Sequence, residues 1–95
     1  MEQSRNSGVV VDSDGGPDLV GKAVLTALQT VLGASEVPSE SRFGVLGGDS
    51  VRAVRVLSRL WRELGVEIPV HALSPHTTVA DFTDVVREHV EAARA

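Results

Sequence analysis

Cysteine and tyrosine are absent from this 95-residue chain, and its aromatics amount to one tryptophan and two phenylalanines. Without cysteine there can be no disulfide framework, thiolate zinc site or cysteine nucleophile, and the absence fits a reducing compartment. So few aromatics mean that a core must be built from Val, Leu and Ala around Phe43, Trp61 and Phe82. Long apolar runs are lacking too. Val9-Val10-Val11 is typical, nothing approaches the roughly 20 apolar residues of a membrane span, and the first residues lack the basic start and apolar core of a signal peptide. The expectation is a cytoplasmic protein that does not engage a membrane.

Positive charge is also scarce, the formal net charge being −4. That argues against general nucleic-acid binding, where a basic face supplies most of the affinity. At 42% apolar residues the composition is that of a globular domain. A domain this small cannot hold both a deep substrate cleft and an independent core. A monomeric, non-catalytic module is therefore expected. The charge that is present is unevenly placed: residues 1–49 hold seven acids against three bases, whereas Arg52 to Arg62 carries four arginines and no acid. A docking surface on that segment would be locally basic.

Residues 1–16 read as a flexible leader, because Asp14-Gly15-Gly16-Pro17 is a breaker cluster. The domain proper is expected over 17–95. Leu19, Val20, Ala23, Val24, Ala27, Leu28, Val31 and Leu32 recur at helical spacing, predicting a first helix over about 18–32 with Asp18 at its start and Gly33 at its end. A long loop follows to Asp49, with Phe43, Val45 and Leu46 as candidate pins. The second helix is expected over 50–64, capped by Asp49 or Ser50 and ended by Gly65. On it Val54, Leu57, Trp61 and Leu64 form an apolar stripe, and Arg52, Arg55, Arg59 and Arg62 form a second stripe about 200° away. One stripe should pack and the other be solvated.

Pro69 favours an extended link from Val66 to Val70, then a short helical turn over 71–74. The last helix, 78–93, begins at a capping box, Thr78-Val79-Ala80-Asp81, and Val79, Phe82, Val85, Val86, His89, Val90 and Ala93 supply its inner face. The whole is an all-α fold with three main helices and one short one, without repeats.

Ser50 stands out chemically. A helix start offers free amide donors and the positive end of the helix dipole, which favour an anion there by about 0.3–1 kcal/mol. Glycines at 47 and 48 permit a tight turn and carry no side chain that could obstruct an approaching enzyme. The plain alternative is that Ser50, or Asp49, is only a helix cap. His71, His76 and His89 invite a Ser-His-Asp hydrolase or a metal site. However, the hydrolase elbow needs Gly-x-Ser-x-Gly after a strand, and two histidines five apart around Pro75 make a poor metal pair, so no metal is expected.

Phe43-Gly44-Val45-Leu46-Gly47-Gly48-Asp49-Ser50 resembles the loading motif of peptidyl carrier proteins, the thiolation domains of nonribosomal peptide synthesis, within the wider acyl carrier family. The likeness extends over roughly 17–92, through the arginine-bearing helix, Gly65-Val66-Glu67-Ile68-Pro69 and Thr77-Thr78-Val79-Ala80-Asp81-Phe82. It implies a small four-helix bundle of the acyl carrier type. It also implies phosphopantetheine, derived from coenzyme A and attached covalently to Ser50, with Gly47, Gly48 and Asp49 as motif neighbours.

The partners so implied are a phosphopantetheinyl transferase, an adenylation enzyme and condensation or tailoring enzymes, in natural-product and antibiotic biosynthesis. Docking falls to Val51, Arg52, Arg55 and Arg59. A polyketide acyl carrier resembles the chain less, because such carriers usually show Asp-Ser-Leu and an acidic helix after the serine; here Val51 follows Ser50 and the helix is basic. A cofactor-free helical adaptor is the alternative from another class. Gly44 and Val45 depart from the aromatic and acid that peptidyl carriers often have there. Met1, and Ala95 just past the last helix, lead us to expect a free-standing carrier.

Overall fold

Residues 18–94 are described by a computed structural model of the chain; the expected leader, 1–16, lies outside them. Among the described residues three α-helices form, α1 (Leu19–Leu32), α2 (Ser50–Leu64) and α3 (Val79–Arg94), with a 3₁₀ turn, Val70–Ala72, between the last two. The same residues form no strand, only an isolated antiparallel bridge between Arg42 and Thr78. The 3₁₀ turn starts one residue earlier and ends sooner than the expected 71–74, since the Leu73 amide closes it on Val70 and the Leu73 backbone then leaves helical geometry.

The starts of the three helices and the ends of α1 and α2 each have a cap. The Asp18 carboxylate accepts a hydrogen bond from the Gly21 amide at α1's start, the Asp49 carboxylate does the same for Arg52 at α2's start, and Gly33 and Gly65 end these helices. At α3, Thr78 is the cap and not the first helical residue, its hydroxyl accepting from the Asp81 amide at 3.1 Å. Two further α3 amides are satisfied from outside the helix: Val79 donates to the Ser41 carbonyl at 3.0 Å and Ala80 to the Ser39 carbonyl at 2.8 Å. The long loop thus does what a capping side chain does elsewhere.

α1 packs against both α2 and α3. Val24, Ala27 and Leu28 come from α1, Ala53, Val56, Leu57 and Leu60 from α2, and Val79, Phe82 and Val86 from α3. Val37, Phe43, Val66, Ile68 and Leu73 enter the same core from the connecting segments. Two expectations fail on α2. Trp61 is 60% exposed and Val54 48% exposed, so neither is core. The buried face is the Ala53–Val56–Leu57–Leu60 stripe, rotated by about 70° from the expected one at about 100° per residue. Leu19 is exposed, and Val85, His89 and Val90 are only half-buried, with Ala93 exposed.

Asp18 also ties α1 to α3, through a 2.7 Å contact with the Arg87 guanidinium. The Gly21 amide first, and Arg87 second, hold its carboxyl below the usual 3.8. Such an exposed contact contributes under about 1 kcal/mol. A carboxyl depressed by folding adds stability above its unfolded pKa and loses it as the pH falls through the folded one. The stability gap between wild type and Asp18→Asn should therefore be constant well above pH 3.8 and shrink below it, measured by urea unfolding across pH. Phe82→Ala, which empties a fully buried site, should cost about 3–5 kcal/mol in the same assay.

Candidate functional site

The turn that leads into α2 is built on Phe43, whose ring is 2% exposed and sits in the core. Its amide donates to the Thr77 carbonyl at 2.9 Å, and the next amide, Gly44, donates to the Pro75 carbonyl at 2.9 Å. Beyond it the chain coils on itself: Leu46 donates to the Arg42 and Phe43 carbonyls, Gly47 to Gly44 and Gly48 back to Phe43 at 2.9 Å. Leu46 packs on the core. Val45, expected to be a pin, is 78% exposed, because the coil turns its side chain outward while Phe43 and Leu46 take the inner positions.

The two glycines before Asp49 serve different needs. Gly47 has φ +93, a conformation that side chains with a Cβ rarely adopt, with open space around it. Gly48 has ordinary backbone, but a Cβ there would run into the Phe43 ring. Its missing side chain therefore makes room for the anchor beneath the turn. Gly44, the departure from the usual motif, has a similar reason: a Cβ would lie 2.9 Å from that of Pro75.

Asp49 is extended, at φ −139 and ψ −176, and accepts the Arg52 amide at 2.9 Å, which leaves Ser50 as the first residue of α2. Of the two candidate caps, Asp49 is the one used, and Ser50 is exposed. The amides of Ser50 and Val51 precede the first intrahelical bond, Ala53 to Asp49 at 2.8 Å. An exposed hydroxyl beside helix-start amides, with no side chain on either preceding glycine, fits a covalently held phosphodiester.

Val51, Arg52 and Arg55 are exposed as well, but Arg59 is half-buried and its buried Nε has no hydrogen-bond partner among the described residues. The rotation of the core stripe explains this, since it brings Arg59 to the edge of the packed face. The same rotation leaves Val54 and Trp61, with Val70 across from them, lining an open groove over Leu57 and Ile68; helical periodicity by itself assigns Val54 and Trp61 to the interior.

The histidines go elsewhere. His89 donates through Nδ1 to its own helix, at the Val85 carbonyl, and the His76 amide bonds Ser74 Oγ. Among the described residues no three His, Cys, Asp or Glu converge as metal ligands.

The glycine assignments can be separated by mutation. Gly48→Ala should destabilise by about 1–3 kcal/mol through overpacking and be largely rescued by Phe43→Leu. Gly47→Ala should cost about 1 kcal/mol or more through backbone strain and gain nothing from Phe43→Leu. Thermal unfolding of the four variants checks this; rescue of both or of neither would contradict it.

The family described as the phosphopantetheine attachment site matches residues 22–86. The chain is also similar to tyrocidine synthase 3 of Brevibacillus parabrevis, 45% identical over 54 residues, and to a plipastatin synthase of Bacillus subtilis (strain 168), 36% identical over 58. Gramicidin S synthase 2 of Brevibacillus brevis is 31% identical over 58 residues. These alignments cover 57–61% of this chain but span only 1–2% of the relatives' length. The family match takes in the anchored turn and all of α2, and on that ground the chain belongs to the phosphopantetheine attachment site family, whose group is held covalently.

Proposed function

We propose that the protein is a peptidyl carrier that holds an aminoacyl or peptidyl thioester during nonribosomal peptide assembly, with Ser50 as the attachment residue. The observation that carries this reading is the exposed Ser50 at the head of α2, inside the Gly47-Gly48-Asp49-Ser50 turn. The relatives' names support it, since tyrocidine, plipastatin and gramicidin S synthases are peptide synthases. The basic face of α2 favours it over a polyketide acyl carrier.

When bound, phosphopantetheine supplies a flexible arm whose thiol forms the thioester and raises its effective concentration at partner active sites. The chain's own residues hold and present that arm. Phe43 fixes the turn from below, Gly47 sets its direction, Asp49 caps the helix, and the first amides of α2 would be available to the phosphate. On this reading the chain is a non-catalytic cytoplasmic monomer, its domain covers 17–95, and the 3₁₀ turn is the short fourth member of an acyl-carrier-type bundle. Its partners are a phosphopantetheinyl transferase, an adenylation enzyme and condensation or tailoring enzymes. Val51 and Arg55, both exposed, are the docking residues near Ser50, with Arg59 at the edge of the same face.

Incubation with a promiscuous phosphopantetheinyl transferase and coenzyme A should add the mass of one phosphopantetheine to wild type and none to Ser50→Ala, read by intact mass. An unmodified wild type would rule the reading out and leave a cofactor-free adaptor. Arg55→Glu should slow loading by the cognate adenylation enzyme through a raised KM, because rim charges act mainly on encounter.

A further inference from the structure

The side chain of Arg52 turns back towards the N-terminus of α2. Its Nη1 donates to Asp49 Oδ2 at 3.1 Å and to the Gly47 carbonyl at 3.3 Å, while its backbone amide donates to Asp49 Oδ1 at 2.9 Å. Both oxygens of one carboxylate, and the carbonyl of the positive-φ glycine, are therefore held by a single residue two positions beyond Ser50. Nothing else in the turn grips Gly47 and Asp49 together among the described residues. Upstream, the amides of Gly47 and Gly48 are tied to Gly44 and Phe43; downstream, Arg52 closes the frame around Ser50.

We propose that Arg52 is a positioning residue for modification of Ser50, acting through Asp49 and Gly47 and not by touching the partner enzyme. The inference rests on Ser50 being the attachment site. Two physical points support it. The phosphodiester formed at Ser50 places a negative charge next to the Asp49 carboxylate, and a guanidinium already seated on that carboxylate offsets the repulsion between them. The pair is also half-exposed, 46% for Arg52 and 55% for Asp49, so it adds little to global stability. Its effect is local: it narrows the conformations open to the turn. Arg55, one helical turn along, has no such bond to the turn among the described residues, and so remains a docking residue.

The test uses Arg52→Gln, Arg52→Lys, Arg55→Gln, Asp49→Asn and the Arg52→Gln/Asp49→Asn double variant. In the unmodified protein, Arg52→Gln should speed hydrogen exchange at the Gly47 and Gly48 amides about two- to five-fold at low salt. The difference should shrink in high salt and the melting temperature should stay nearly constant. With the transferase and coenzyme A, Arg52→Gln should lower kcat by a similar factor and leave KM almost unchanged, whereas Arg55→Gln should do the reverse. Arg52→Lys should restore most of both readouts, because an ammonium has enough donors to reach the same two oxygens. In the Asp49→Asn background, Arg52→Gln should add little.

A rise in KM alone with unaltered exchange would make Arg52 a docking contact and overturn the proposal, as would fully additive losses with Asp49→Asn. Failure of the Ser50 reading looks different. Wild type itself would gain no mass, whatever residue stands at 52, and this inference would fall with it.

Discussion

The burial of the Phe43 ring is the constraint on which the site depends. A single aromatic, inserted from a loop into a core otherwise made of aliphatic side chains and Phe82, converts a segment without regular structure into a fixed platform. The ring occupies the space that a side chain at 48 would need, and its backbone carbonyl accepts the amides of Leu46 and Gly48. The direction in which the chain enters α2 follows from these contacts, and with it the exposure of Ser50. In a protein with so few aromatics, no other loop residue has the volume to do this.

The same loop is tied to the start of α3. Ser39 and Ser41 give their carbonyls to the first amides of that helix, and Thr77 and Pro75 give theirs to Phe43 and Gly44. Each segment thus satisfies backbone groups that the other would leave orphaned. The turn before Ser50 is thereby tied to the start of α3 through backbone bonds.

The protein surface is divided by α2 itself. Ala53, Val56, Leu57 and Leu60 face inward; Val51 and Arg55 face solvent near Ser50, and Val54 and Trp61 border a groove further along. Arg59 lies at the packed edge, and Arg52 is engaged with the turn. The four arginines that share one stripe in the sequence therefore divide into different physical roles according to what stands beside each.

The residues alone determined where the three α-helices begin and where α1 and α2 end, because capping by Asp18, Asp49 and Thr78 and termination by Gly33 and Gly65 are local events within a few bonds. They also single out Ser50, which sits in a contiguous motif at the head of α2. Which side of α2 is buried was not legible: Val54 is as apolar as Val56, and only packing against the rest of the core selects between stripes about 70° apart. Nor were the outward turn of Val45, the steric need for glycine at 44 and 48, or the fold-back of Arg52 onto Asp49 legible. Each depends on a neighbour placed by the tertiary structure, Pro75 or Phe43 or the turn itself, and contact across a loop leaves no periodic trace in the order of residues.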